Sequence, residues 1–265
     1  MSLILIGIVV GLILGLFGAG GTILAVPFLI FGLDMDPKMA IPISMFAVAV
    51  SSIIGSISAL INKQVRYRAA SLMAFFAMLI SPFGILAGQY LSKDPLMILF
   101  ALLLMWSGIK PLIAKEEKDS PQHNPESEEM FPCEINENTK RIRWNTKCAQ
   151  ALSFTGSITG FLSGLLGVGG GFIIVPALKK FTNVHLNNIF PTSVAVIAII
   201  ASYNSFIFLY KGLLNYHYGV LFCVGTTLGM LVSRYLNINT AKIDVGFSYF
   251  LIVIAMFLIL KTIWL

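Results

Sequence analysis

The sequence predicts an all-α polytopic membrane protein made of two homologous halves, each a Gly/Pro-broken segment followed by three transmembrane helices. Three observations predict it: an apolar composition, uncharged runs of spanning length, and an internal repeat of glycine and proline. Of the 265 residues, 57% are hydrophobic and 11% charged, where soluble domains carry about a quarter charged residues. Lys and Arg number 18 and Asp and Glu 12, a net charge of +6. Those charges fall in short gaps between long uncharged runs, which excludes an aqueous nucleic-acid-binding surface.

The runs place the elements in order. Residues 39–61 and 69–91 carry no charge over the about 20 residues needed to cross a bilayer core, so both read as spanning helices. Residues 96–109 extend to 114 when Lys110 snorkels its ammonium to the headgroups. In the second half, 189–210, 216–233 and 245–260 give three further spans. Residues 2–33 and 148–178 are too long for one span, and each is interrupted by glycine and proline. No Lys or Arg precedes the first apolar stretch, which therefore reads as membrane domain rather than a cleaved leader. Cys133, Cys148 and Cys223 fit no metal spacing and no even-numbered disulfide framework, so small packing residues are expected, with Cys133 exposed.

Sliding the chain against itself by 149 positions pairs Gly11, Gly15, Gly18, Gly20, Gly21 and Pro27 with Gly160, Gly164, Gly167, Gly169, Gly170 and Pro176. The same offset pairs Pro42 with Pro191, Ser44 with Ser193, Ser56 with Ser205 and Tyr67 with Tyr216. After a four-residue gap, Gly84 and Tyr90-Leu91 meet Gly229 and Tyr235-Leu236. The chain thus divides into a first repeat (1–114), a hydrophilic linker (115–147) and a second repeat (148–265). The linker is polar, proline-containing and mixed in charge, the composition of a tether.

Matched glycine and proline interruptions in two halves of a membrane protein point to a transporter's binding site. In hydrocarbon every backbone N–H and C=O needs a partner, so unwound chain survives only inside protein or against a wet cavity. Where the helix restarts, at Thr22-Ile23 and Phe172-Ile173, its first N–H groups carry the positive end of the helix dipole and suit an anion. The candidate binding residues are therefore Gly18, Gly20, Gly21 and Thr22 in one half and Gly167, Gly169, Gly170 and Gly171 in the other. Gly11, Gly15, Gly160 and Gly164, spaced four apart, read instead as helix-packing positions. A dinucleotide loop is excluded, because Ile23 and Phe172 occupy the third glycine position of G-x-G-x-x-G.

The repeated G-x-x-x-G-x-x-G-x-G-G-x-x-x-x-x-P pattern, opening each half of a chain with eight apolar segments, resembles the TauE/SafE sulfite exporter family. The resemblance covers nearly the whole chain outside the linker. It implies a prokaryotic inner-membrane transporter of sulfite, sulfoacetate or related organosulfur anions. The family motif falls on Gly15, Gly18, Gly20, Gly21 and Pro27, and on Gly164, Gly167, Gly169, Gly170 and Pro176, with Pro42 and Pro191 as further matched structural positions. Thr22 stands where the second half has Gly171.

The polar inventory agrees with an anion. Outside the linker the acids are Asp34, Asp36, Asp94 and Asp244, all near segment ends, whereas cation pumps and proton relays keep carboxylates inside the membrane. Hydroxyl and amide donors are plentiful: Ser51, Ser52, Ser56, Thr192, Ser202, Asn204 and Ser205. Ser44 and Ser193, each two residues after a matched proline, are the pair singled out to donate to substrate oxygens. Lys63, Arg66, Arg68, Lys211 and His217 lie near helix ends, as topology determinants or as an anion vestibule. If each broken segment is a re-entrant hairpin, Lys38, Lys93, Lys211 and Lys261 share the N-terminal side. The rest of the 18 Lys and Arg then lie on the linker side, which puts the linker in the cytoplasm and inverts the two halves.

The expected function is a membrane transporter, a secondary carrier or uniporter exporting small organosulfur anions across the cell inner membrane, with the lipid bilayer as solvent and without a cofactor. An exporter of amino acids or other metabolites shares the architecture. An intramembrane enzyme is disfavoured, since the chain carries no H-E-x-x-H, no G-x-S-x-G and no P-loop.

Overall fold

A computed structural model describes residues 2–17, 22–61, 65–119, 133, 135–136, 141–142, 145–182, 186–235 and 240–264. Among them ten helices run in order: α1 (Ser2–Phe17), α2 (Ala25–Leu33), α3 (Pro37–Ile61), α4 (Tyr67–Tyr90), α5 (Lys93–Asp119), α6 (Thr146–Leu166), α7 (Gly171–Phe181), α8 (Leu186–Tyr210), α9 (Tyr216–Tyr235) and α10 (Thr240–Trp264). Two short strands in the linker, β1 (Ile135–Asn136) and β2 (Arg141–Ile142), pair antiparallel. Four described segments are long and apolar enough to cross a membrane: Pro37–Ile61, Tyr67–Tyr90, Ile189–Tyr210 and Tyr216–Ser233. Large apolar side chains such as Phe75, Phe83 and Phe206 are exposed, as a lipid-facing surface requires and a water-facing one does not tolerate in quantity. Gly18, Gly20, Gly21, Lys63, His123, Trp144 and Leu236 lie outside the described residues.

The helices form two compact units. One holds α1–α4 and α6–α9, the other α5 and α10. Within the smaller unit Gly108 brings α5 against the Ser248 carbonyl and Ile252 of α10.

In the larger unit, glycines set how closely and in which direction helices pair. A Cβ added to Gly156, Gly160 or Gly164 of α6 would run into the carbonyls of Met73, Ala77 and Ser81 on α4. The residue numbers rise together, so α6 lies parallel to α4 at backbone contact. Gly7, Gly11 and Gly15 of α1 face the Phe222, Thr226 and Met230 carbonyls of α9 in the same sense. These six contacts keep the 149-residue offset throughout. The four-residue gap expected near Gly84 is not reproduced: Gly84 meets the Phe161 carbonyl whereas Gly229 meets that of Ile8, one helical turn away from equivalence. A one-turn slip leaves a glycine on the same helix face, which is why the sequence tolerates it.

Both broken segments fold back. Gly32 at the end of α2 sits beside the Ile6 side chain near the start of α1. In the second half, Gly170 packs on Thr159, midway along α6. At the far end of α7, Cys133 donates its N–H to the Phe181 carbonyl at 3.0 Å and is disulfide-bonded to Cys148 in the first turn of α6. Each helix pair therefore returns to the end of the bundle it left. They enter from opposite ends: α6 starts where α4 starts, and α2 leads through Asp34–Asp36 into α3, whose Lys38 ammonium reaches the Gln89 carbonyl at the end of α4.

The cysteine expectation is corrected here. Cys133 and Cys148 are joined and both fully buried, and only Cys223 is free among the described residues. Two cysteines 15 residues apart across a polar linker offer no periodicity from which a pairing follows, so packing alone reveals it.

Candidate functional site

α6 ends as its glycines dictate. Gly167 caps it in the left-handed region at φ 71°, donating its N–H to the Ser163 carbonyl at 2.9 Å. Gly169 and Gly170 follow at φ 68° and 78°, a conformation that costs an L-residue with a Cβ about 1–2 kcal/mol. Two successive left-handed residues reverse the chain within four positions and aim α7 back along α6. The matched Thr22 opens a 3-10 turn of residues 22–24 ahead of α2.

The two breaks meet. A Cβ on Gly169 would lie 3.2 Å from the Ile197 Cγ2 and 3.3 Å from the Thr22 Cγ2. Gly167, Gly169, Gly170, Gly171 and Thr22 are all buried. The structure thus brings Thr22 of the first half against the second half's glycine turn. Gly15 and Gly164 lie in α1 and α6 as helix-packing positions, Pro27 in α2, Pro176 inside α7, and Pro42 and Pro191 in the opening turns of α3 and α8.

Ser44 and Ser193 both bond backbone carbonyls, and Ser44 reaches the α6 break itself. Ser44 Oγ donates to the Ile41 carbonyl at 2.8 Å, with the Gly167 carbonyl at 3.2 Å as a second acceptor, and Ser193 Oγ donates to the Phe190 carbonyl at 2.8 Å. Each hydroxyl binds a carbonyl one turn back on its own helix. Ser51, Ser52, Ser56 and Ser202 do the same.

Other groups form the polar centre. Asn204 of α8 accepts a hydrogen bond from Ser81 of α4 and donates through Nδ2 to Ser163 Oγ of α6 at 3.2 Å, tying three helices together with fully buried side chains. One turn before Ser163, Thr159 is fully buried and its Oγ1 has no hydrogen-bond partner. The Thr159 methyl packs where a Cβ on Gly170 would stand. The side chain that carries this unpartnered hydroxyl thus meets the start of α7 through its methyl group, and the N-cap there is Gly170, which has no side chain to cap the helix. At the start of α7 the Ile173 and Ile174 amides donate to the Gly170 carbonyl at 3.1 and 3.3 Å, and the Gly171 and Phe172 amides, ahead of any intrahelical acceptor, carry the positive end of its dipole. Neither the hydroxyl nor these amides carries a formal charge.

Thr159, Ser163 and Ser81 were not among the sequence candidates. Their signal is present: Thr155-Gly156, Thr159-Gly160 and Ser163-Gly164 recur every four residues, a hydroxyl stripe beside the glycine stripe of α6. No group of three or more His, Cys, Asp or Glu is placed to hold a metal ion among the described residues.

A helical bundle of apolar spans, with two oppositely entering broken helices meeting at a buried polar centre, is a polytopic membrane transporter. The sequence profile of the Sulfite exporter TauE/SafE family matches residues 3–258, and the chain belongs to that family. A "Probable membrane transporter protein" of Xylella fastidiosa is 27% identical over 261 residues, covering 97% of this chain and 93% of its own length. Proteins of the same description from Methanocaldococcus jannaschii (29% identical; 66% of this chain, 60% of that one) and Bacillus subtilis (25%; 73% and 70%) are also similar. No solved structure matches. The description of each of these relatives is that of a probable membrane transporter rather than of an enzyme.

Proposed function

We propose that this protein exports sulfite, sulfoacetate or a related organosulfur anion across a prokaryotic inner membrane, holding it where the Gly167–Gly171 turn meets the Thr22 turn. The observation that carries this reading is the fully buried Thr159, its hydroxyl unpartnered and its methyl group against the start of α7, which has no side-chain cap. An oxyanion accepts hydrogen bonds only, which is what backbone amides and a hydroxyl supply. The site's small side chains and glycines suit a compact anion held by backbone, and export of negative charge gains about 2.3 kcal/mol per charge per 100 mV of inside-negative potential.

The two halves act as inverted repeats, a reading supported by the constant offset of the six glycine contacts and by the opposite entry of the two hairpins. Each hairpin packs on a helix of the other half, α1 on α9 and α6 on α4. The bodies that rock in alternating access are therefore α1–α2–α9 and α4–α6–α7, not the two halves of the chain. Backbone-close helix pairs move together, and motion occurs where side chains slide.

Purified protein in liposomes tests the reading against a panel of sulfur oxyanions, sulfonates, carboxylates and amino acids. Sulfite or a sulfonate is expected to move fastest, and Gly169→Ala to slow it while the protein stays folded. Preferential movement of carboxylates or amino acids refutes the substrate class, and full flux in Gly169→Ala removes the glycine turn from the mechanism.

A further inference from the structure

A groove of about 580 Å³ opens between α3, α4 and α8 at the end where α4 begins. Its floor is the small buried residues Ala70, Ala195 and Ala198, and its rim includes Leu60, Tyr67 and Arg68. On α3 it runs from Leu60 to Ile53 and on α8 from Ala195 to Ser202, eight residues each, or roughly 10 Å of depth along the helices. Its opening is held by the Arg66 N–H, which donates to Thr192 Oγ1 of α8 at 3.1 Å.

The groove's polarity is graded. Three serines line it, yet Ser56, Ser71 and Ser202 each donate to a carbonyl one turn back, at Ile53, Arg68 and Ala198. The wall they leave is apolar, offering a small oxyanion few donors. Among the described residues Arg68 is the only charged one in the lining, and it lies at the shallow end, one residue into α4, where a spanning helix meets the headgroups. A cation at the interface above an apolar slot matches a lipid with an anionic headgroup: the guanidinium pairs with phosphate oxygens and the slot takes the first methylenes of an acyl chain. With no acid among the described lining residues to balance Arg68, a net-negative headgroup is favoured over a zwitterionic one.

We propose that this groove, formed by α3, α4 and α8 with Arg68 at its mouth, is a binding site for an anionic phospholipid. One basic residue at the membrane surface confers about five-fold preference for an anionic lipid. The site borders α3 and α8, so its occupant sets the spacing of the helices that carry Ser44 and Asn204.

Native mass spectrometry of the full-length protein, from bilayers holding equal phosphatidylglycerol and phosphatidylcholine of identical chains, tests this. The wild type is expected to retain phosphatidylglycerol about five-fold over phosphatidylcholine. Arg68→Gln is expected to bring the ratio near one and Arg68→Lys to keep part of it. Ser71→Trp, an exposed position from which the indole plugs the slot, should lose both lipids with Arg68 intact; thermal unfolding of each variant confirms that it is folded. Equal retention of the two lipids by the wild type, unchanged enrichment in Arg68→Gln, or displacement of the lipid by inorganic phosphate alone overturns the proposal.

Discussion

Replacing Thr159 by Val exchanges a hydroxyl for a methyl group at a fully buried position where the hydroxyl has no partner, and stability and transport should respond with opposite sign. A buried hydroxyl without a hydrogen bond costs the folded protein about 1–3 kcal/mol. Val keeps the shape and the methyl that packs against Gly170 and removes that cost. Thr159→Val should therefore be more stable than the wild type, and each kcal/mol raises Tm by roughly 2–4 °C in a chain of this size. If the hydroxyl instead donates to a bound anion, its loss removes a hydrogen bond to a charged group, about 1.5–3 kcal/mol. That corresponds to about a tenfold to a hundredfold weaker affinity. The assay is thermal unfolding of purified protein with and without sulfite, alongside liposome flux. Higher Tm without ligand, loss of the sulfite-induced rise in Tm, and reduced flux support the reasoning. A destabilised Thr159→Val with unchanged flux refutes it, since the hydroxyl would then be structural.

Ser193→Ala should leave flux within about twofold of wild type and cost at most about 1 kcal/mol, because its hydroxyl is spent on a carbonyl of its own helix, whereas Ser44→Ala also removes the contact to the Gly167 carbonyl and should lower flux more than Ser193→Ala does; a loss of flux in Ser193→Ala, or none in Ser44→Ala, would reverse that ranking. Gly160→Ala pushes a Cβ into the Ala77 carbonyl and should cost about 1–3 kcal/mol, read as a lower Tm in detergent. Cys133→Ser, or reduction of the wild type, opens a disulfide spanning 15 residues and should cost about 3 kcal/mol on the chain-entropy account, with the unfolding curve as readout. Disulfides persist in oxidising compartments, so the Cys133–Cys148 bond predicts a linker on the outside, opposite to the orientation expected from the distribution of Lys and Arg. Lys211→Cys in a Cys223→Ser background, at the other end of α8, should then react with a membrane-impermeant maleimide only after lysis, and labelling of intact cells would place the linker inside.

Much of the architecture was legible because membrane spans are local properties. A run such as 69–91 crosses a bilayer by its own composition and length, and the structure returns α4 over Tyr67–Tyr90. The breaks were legible too: glycines at 167, 169 and 170 stand where only a residue without Cβ adopts positive φ at little cost, so the turn between α6 and α7 follows from residue identity. For Gly18, Gly20 and Gly21 the expectation falls outside the described residues. The hydroxyls divided differently. Ser44 and Ser193 stood out because they matched across the halves; both bond a carbonyl one turn back, and only Ser44 also reaches the Gly167 carbonyl of the other half.

By itself the sequence determined that this chain is an apolar helical membrane protein with two glycine-broken segments, because charge content, run length and backbone freedom act over a few neighbouring residues. Tertiary structure alone decided that Cys133 reaches Cys148, that α6 lies on α4 and α1 on α9, and that Thr159 is left without a partner while Ser44 is not. Those outcomes depend on which surfaces meet between elements distant in the chain, and a donor is satisfied or orphaned only once its neighbours are in place.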